Sequence, residues 1–357
     1  VIVLFVLCAL GLPAGLLLLV RVPLCSPAGA AQAAGVSVVI PARNEEHNLP
    51  PLLSSLLAAR PGPNEVIVVD DHSADGTAAV ATAHGTRVLA ARPLPAGWTG
   101  KTWSCAQGAE AARADLLLFL DADTWLAPGG FERLTATFAA LGPGPVALSV
   151  LPYHVMHRTY EELSLFFNLL MAFGAGGFGL LGRGRLFGQS LLIPRTLYAA
   201  SGGHAAVRRQ ILENVALSRR VEAAGGRCVC RGGRGVLQVR MFPEGFSQLC
   251  EGWTKAFADG AAASDERVLG MAIFWLSALC ATFLLVLMAS GPLRVAASAL
   301  YLCFAMQVAW CARQIGAFRL LTCALYPIPL LFFFALFTRS ALRRSLGQKV
   351  TWRGRQL

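Results

Sequence analysis

Charge is scarce in this chain of 357 residues: Asp, Glu, Lys and Arg make up 14% of it, against about a quarter in an average soluble domain. Acidic residues are missing altogether from two stretches, 1–35 and 268–357. With 55% apolar residues the chain is not a disordered one, which needs low hydrophobicity and high charge. Its apolar excess is also more than a soluble domain uses, so membrane segments are expected. No C-x-x-C pair and no histidine at zinc spacing occurs among the ten scattered cysteines, which excludes a zinc ribbon and suits a reducing compartment for the soluble part. No G-x-G-x-x-G follows the first predicted strand, and Gly100-Lys101-Thr102 lacks the upstream glycine of a phosphate loop. Neither a dinucleotide fingerprint nor a Gly-rich phosphate cradle is therefore present.

The net charge of +11 is unevenly placed. Arg21 is the one basic residue of 1–35, nine lie in 268–357, and 21 basic residues face 20 acidic ones between 36 and 267. A near-neutral middle with basic flanks beside apolar runs reads as a topology signal and an anionic-lipid contact, not as a nucleic-acid surface. Residues 1–20 carry no charge and no basic n-region, so they read as a retained anchor helix, not a cleaved signal. Further apolar runs cover 268–292, 295–312 and 320–338, the last interrupted by Pro327 and Pro329, which predict a kink or a re-entrant turn. Arg21 and the basic tail (Arg339, Arg343, Arg344, Lys349, Arg353, Arg355) both belong on the cytoplasmic side. That needs an even number of crossings, so one of the three runs must dip or lie in the interface. The expected organisation is an anchor at 1–21, a soluble domain at 36–265, membrane segments at 268–338 and a basic tail at 339–357. Glu161–Leu181 is either a helix on the bilayer surface or a buried core helix.

Within 36–150 strand and helix signals alternate. Apolar, β-branched runs predict strands at 36–40, 65–70, 86–90 and 115–121, with helices through 49–59, 77–84 and near 102–113. This rhythm predicts a doubly wound α/β domain, whose ligands bind at the carboxyl ends of the strands. Polar clusters sit at those ends: Arg43, Asn44 and Glu45 after the first, Asp70 and Asp71 at the second, Asp121 and Asp123 at the fourth. Two carboxylates spaced D-x-D offer hard oxygen ligands suited to Mg²⁺ or Mn²⁺, which in turn bridge phosphate oxygens.

The segments VSVVIPARNEE, VIVVDDHSADGT and LLFLDADT resemble the nucleotide-sugar-binding segments of family 2 glycosyltransferases with the GT-A fold. The segments 93–108, 188–204, 239–260 and 350–357 are similar to membrane-bound bacterial members linked to carotenoid or hopanoid lipids. The resemblance implies that Pro41, Ala42, Arg43 and Glu45 line the nucleoside pocket, and that Asp70 bonds the base, commonly uracil. It implies Asp121 on the ribose side, Asp123 on a metal at the diphosphate, and Lys101 within reach of the phosphates. Gly203 and His204 would lie near the acceptor, although a turn histidine bonded to backbone is the commoner case. Where the family places an acidic pair carrying its catalytic base, this chain has Glu213-Asn214. The family's C-terminal Q/R-x-x-R-W box has no close copy; Arg240, Trp253 and Lys255 occupy that region, which the resemblance puts on the acceptor or phosphate side, and Trp253 would either stack on an acceptor or, the favoured reading, anchor at the interface. The implied activity is inverting transfer, on the cytoplasmic face of the membrane, from a nucleotide-diphosphate sugar, UDP-linked by family habit, to a lipid acceptor such as a carotenoid. The alternatives are a polyprenyl-phosphate sugar transferase and a non-catalytic nucleotide-sugar-binding scaffold, the latter favoured by Asn214.

Overall fold

The computed structural model describes the backbone of residues 2–27, 35–175, 178–180, 185–210, 213–263, 265–345, 351–352 and 355–356, and their side chains except at 175, 255–263 and beyond 342. The chain divides into two compact units. One comprises Val22–His154 and Gly184–Arg240; the other comprises Val1–Arg21, Val155–Arg183 and Met241–Leu357. Of the soluble domain expected at 36–265, this division groups 155–183 and 241–265 with the second unit.

The first unit is built on strands β1 (Val36–Ala42), β2 (Glu65–Asp70), β3 (Arg87–Ala90), β4 (Leu116–Leu120), β5 (Thr124–Leu126), β6 (Val146–Leu151), β7 (Tyr153–His154), β8 (Ser190–Pro194), β9 (Arg227–Gly232) and β10 (Leu237–Val239). A seven-stranded sheet has the order β3-β2-β1-β4-β8-β6-β9, and β5-β10-β7 form a small second sheet. The first four strands are parallel, as the apolar runs predict. The sheet as a whole is mixed, because β8 enters antiparallel between β4 and β6.

Alternate residues of each strand feed two cores. Val38, Ile40, Val68 and Leu118 pack with Leu49, Leu52, Leu53 and Leu56 of helix Leu49–Ala58 on one face. Val39, Ile67, Val69 and Phe119 pack with Cys105, Ala109, Leu217 and Val221 on the other. This period of two explains why the strands read as continuous apolar runs. Each fully buried Val, Ile or Leu contributes about 1.5–3 kcal/mol. Helix Gly100–Ala111 approaches β1 so closely that a Cβ on Gly108 would lie 2.2 Å from Val39 Cγ1. That contact sets the first turn of the helix, and Lys101 with it, at the carboxyl edge of the sheet.

The second unit is helical. Two of its helices, Glu266–Met288 and Gly291–Ile315, are long and apolar enough to cross a membrane. The third C-terminal run is divided into Leu320–Ala324 and Pro327–Ser345, as its prolines predict. The expected N-terminal helix runs over Ile2–Leu18 with an interruption at Leu10 that divides it into Ile2–Ala9 and Gly11–Leu18. Pro13 explains the break: it has no N–H for the carbonyl of Ala9, and its ring would collide there in a continuous helix. The second piece docks through Gly11 and Gly15, a small-x-x-x-small pair. A Cβ on Gly11 would meet Ala278 Cβ at 2.3 Å, and one on Gly15 would meet Trp275 Nε1 at 2.5 Å. Gln307 fastens the contact: its Nε2 donates to Leu12 O (2.7 Å) and its Oε1 accepts from Trp275 Nε1 (2.9 Å).

Helix Leu165–Ala175 is a buried helix, not one lying on a surface. Phe166 and Phe173 pack on Trp275, and Phe167 stacks on Trp253 at 4.7 Å. Trp253 is 1% exposed and its Nε1 donates to Ser164 Oγ. It is a core residue of this unit, which corrects its expected role as an interface anchor; its ring and its one donor are both consumed inside. Glu162 is buried too, and accepts from Arg319 N–H and the Thr322 hydroxyl while pairing with Arg319 Nε at 3.1 Å.

Replacing Gly15 with Leu should loosen the N-terminal piece, at a cost of about 1–3 kcal/mol for overpacking. Gly270→Ala, where a Cβ meets nothing within 4 Å, should leave stability equal or roughly 1 kcal/mol higher. Thermal melts of the detergent-solubilised chain would show the contrast, and equal melting of both variants would contradict the docking contact.

Candidate active site

Two loops follow β1 and β2 at the carboxyl edge, and they are sewn together. Asn44 and His72 both hold the left-handed conformation (φ 54° and 57°), which asparagine and histidine tolerate better than most residues. Asn44 N–H donates to Ser73 Oγ, and Asn44 Oδ1 accepts from Ala74 N–H (2.8 Å). Glu45 N–H donates to Thr77 Oγ1, while Glu46 Oε2 accepts from Gly76 N–H (2.7 Å). The Glu45 carboxylate accepts from Asn48 Nδ2 at 2.8 Å. Pro41 and Ala42 lie in register with Val69 and Asp70 on the neighbouring strand. Arg43 donates to Asp71 O (3.2 Å) and faces its carboxylate at 3.6 Å. The sequence-predicted set Pro41, Ala42, Arg43 and Asp70 is thus brought to one edge.

Asp121 and Asp123 follow β4. The Asp121 carbonyl accepts both the N–H and the hydroxyl of Thr124 (3.2 and 2.8 Å), which closes the D-x-D turn, and Asp121 N–H donates to Gln189 O across the sheet. Lys101 reaches this turn from its helix. Its Nζ is 2.7 Å from Asp121 Oδ1 and 2.7 Å from Glu213 Oε1, and it donates to Gly188 O at 3.1 Å. One ammonium therefore bridges the D-x-D turn and the start of helix Glu213–Ala223. Burial by itself disfavours the Lys101 ammonium, but Asp121 and Glu213 outweigh it and hold the pKa above the ordinary lysine value. Burial raises the Glu213 carboxyl, and the Lys101 ammonium opposes that rise. The Cys105 thiol beneath them is pushed up by burial.

Asn214, the next residue on that helix, reaches the loop before β8. Its Nδ2 donates to the carbonyls of Phe187 (2.9 Å) and Gly188 (3.0 Å). The same loop is held by Ser149 Oγ, which accepts from Phe187 N–H, and by Ser218 Oγ, which accepts from Leu186 N–H. An aspartate at 214 could donate neither bond. Asn214 is a positioning residue for the loop that presents Gly188 to Lys101, and sequence spacing alone did not show this; the partners lie 26 and 27 positions away.

The remaining predicted residues divide. His204 is buried, its Nδ1 bonded to the Tyr198 hydroxyl (2.9 Å) and its ring edge-on to Phe119. Burial, aided by Lys101, lowers its pKa to about 3, so the ring is neutral and serves the core. Gly203, with φ 51°, leaves room for Tyr198, whose ring a Cβ would meet at 2.5 Å. Both residues, expected on the acceptor side, have structural partners of their own. Arg240 closes the unit that carries the site, whereas Trp253 belongs to the other unit. The side chain of Lys255 lies outside the described residues.

The model of glycosyl transferase family 2 matches residues 37–216. The chain belongs to glycosyl transferase family 2. Two curated relatives are 4,4'-diaponeurosporenoate glycosyltransferases of Staphylococcus aureus: that of strain USA300 is 33% identical and that of strain MRSA252 32%. Each match covers 90% of this chain and 88% of the relative. Among solved structures, a mannosyltransferase from Pyrobaculum calidifontis, in complex with GDP-Man and Mn²⁺, aligns with a TM-score of 0.56 at 15% identity. That alignment covers 95% of this chain and 98% of that one, and shows the same GT-A fold. The family 2 match spans β1, β2 and β4, whose carboxyl ends carry Arg43, Asp70 and Asp121, and open α/β sheets bind their ligands at such ends.

Asn214→Asp should destabilise this family 2 domain, since each buried group left unpartnered costs about 1–3 kcal/mol. Denaturant unfolding checks this, and an unchanged midpoint would remove the clamp role. A second expectation concerns Asp75. Burial alone raises its pKa, but hydrogen bonds from the Thr77 hydroxyl and from the Glu46 and Thr77 N–H groups prevail and lower it. Its stabilisation is present above the ordinary carboxylate pKa and lost as pH falls through the lowered folded value. The melting-temperature gap between wild type and Asp75→Asn should accordingly narrow on acidification; a constant gap would contradict it.

Proposed function

We propose that the chain transfers a sugar from a nucleotide-diphosphate donor to a carboxylated isoprenoid lipid, forming a glycosyl ester at a membrane surface. The observation that carries this reading is the likeness to the diaponeurosporenoate glycosyltransferases along nearly the whole chain. The polar edge at β1, β2 and β4 supports a donor site for a nucleoside diphosphate, UDP-linked as the family motifs imply, with Arg43 and Asp70 at the nucleoside and Asp121 toward the ribose. Asn214, the feature that favoured a non-catalytic scaffold, has a positioning role, which supports an enzyme.

The residues present fit a divalent ion. Among the described residues no group of three His, Cys, Asp or Glu side chains exists that would make a closed metal cage. Mg²⁺ and Mn²⁺ need none: they bind through one or two carboxylates and complete their shell with phosphate oxygens and water. Asp123, with Asp121 beside it, would hold the ion, and Lys101 already balances the Asp121 charge. When bound, such an ion stabilises the negative charge that gathers on the departing diphosphate.

The chemistry asked of the protein itself is modest. An acceptor carboxylate is ionised at neutral pH, so its oxygen attacks the anomeric carbon, the bond from that carbon to the diphosphate oxygen breaks, and no proton moves. Glu213, ion-paired to Lys101, then has no proton to take. It and Lys101 orient the D-x-D turn and the Gly188 carbonyl around the reacting centre. The basic flanks at Arg21 and after residue 338, together with helices long enough to cross a bilayer, support a multi-pass chain of the cytoplasmic membrane with the sheet unit on the cytoplasmic side.

Nanodisc-embedded protein, supplied with UDP-sugars, Mn²⁺ and a C30 carotenoic acid, should yield a glycosyl ester detectable by mass spectrometry. Glu213→Gln should slow this by less than about tenfold, well below the usual worth of a general base. Asp123→Ala should abolish the metal dependence of nucleotide binding in calorimetry. Absence of ester with nucleotide binding intact would overturn the acceptor assignment.

A further inference from the structure

Next to Lys101 the chain carries an exposed cluster that the chemistry above does not use. Trp98 and Trp103 meet edge-to-face at 4.8 Å, and both are half-buried. Trp103 is locked from behind: its Nε1 donates to Arg92 O (2.9 Å) and the Arg92 guanidinium lies 5.1 Å from its ring centre. Arg92 is itself paired with Glu110 at 2.6 Å, so its charge is spent. Arg209 is different. It is exposed, and among the described residues it meets no carboxylate. Its guanidinium lies across Gly97, where an added Cβ would sit 3.1 Å from Nε. Gly97 has φ 79°, so the backbone there needs glycine for its conformation as well as for the space.

This shelf is tied to the site at both ends. Arg208 O accepts from Thr99 N–H (2.9 Å) and from the Thr102 hydroxyl (3.0 Å), on either side of Lys101. Thr99 caps the Lys101 helix. Arg209 is four residues before Glu213 in the sequence. The shelf therefore lies against the first turn of the Lys101 helix and sets the Arg209 guanidinium across Gly97, the residue before Trp98, which itself packs on Trp103.

We propose that this shelf binds the acceptor: Arg209 takes its carboxylate, and the Trp98–Trp103 pair takes the first unsaturated carbons of its tail. The occupant follows from the chemistry displayed. A planar guanidinium fork matches a carboxylate with two parallel hydrogen bonds, and aromatic faces accept a flat, conjugated chain. An apolar tail without an acid would leave Arg209 idle, and a free anion without a tail would leave the tryptophans idle. The inference rests on the acceptor class proposed above, and makes Arg209 its specificity-determining residue.

The test compares a carotenoic acid with the matching carotenoid alcohol in zwitterionic nanodiscs. Arg209→Gln should lower the acid-to-alcohol ratio of kcat/KM by about tenfold or more, mostly through KM for the acid, with Arg209→Lys recovering part of it. Trp98→Ala should raise KM for both acceptors. Direct binding is read by quenching of tryptophan emission by the polyene, with Arg209→Gln weakening the acid's titration. An unchanged ratio and an unchanged titration would overturn the proposal. A defect that appears only when anionic lipids are added would also overturn it, since Arg209 would then be holding a phospholipid headgroup. If the wild type makes no ester, the acceptor reading fails at that step. The quenching titration still decides the shelf: weaker acid binding in Arg209→Gln upholds it and equal binding sinks it.

Discussion

The ammonium of Lys101, set between Asp121 and Glu213, is the contact on which the site depends. Three chain segments that are remote in sequence end on it: the turn after β4, the start of helix Glu213–Ala223, and the loop that offers the Gly188 carbonyl. Two carboxylates at such separation repel each other unless a cation sits between them. With Lys101 in place part of the negative charge of the D-x-D turn is offset. Lys101 holds this position because Gly108, on the same helix, lets the helix lie against Val39.

The same contact explains why asparagine follows glutamate at 213–214. Adjacent positions on a helix point about 100° apart, so one side chain faces Lys101 and the other faces the loop before β8. The second needs donors, because two carbonyls confront it. An acidic pair would satisfy the lysine and repel the loop. For an acceptor that arrives already ionised, losing the second acid carries no chemical penalty.

The helical unit follows a different physical rule. Its helices have few charges to order them, so small residues and isolated polar side chains do the work. Gly11 and Gly15 allow close approach, and Gln307 converts a backbone carbonyl and an indole N–H into a specific latch. Trp253 and Phe167 stack within the same unit, which is why a tryptophan that looked like a membrane anchor is a core residue.

The parallel strands β1 to β4, their helices and the carboxylates at their ends were legible in the amino-acid sequence, because β-branched runs, turn residues and acidic strand ends are local signals that neighbours in the chain express directly. Residues 37–216 carry the family pattern in the same local form. What the sequence did not display was direction and partnership. Nothing local in SLLIP marks direction, and only its pairing with β4 and β6 makes β8 antiparallel. The apolar stretch 165–175 has the same composition whether it lies on a bilayer or inside a helical unit, and only packing on Trp275 and Trp253 chose. Glu45, His204 and Asn214 look like site chemistry by residue type. Their hydrogen-bond partners within the fold are Asn48 for Glu45, the Tyr198 hydroxyl for His204 and the Phe187 and Gly188 carbonyls for Asn214, and residue type alone does not name such partners.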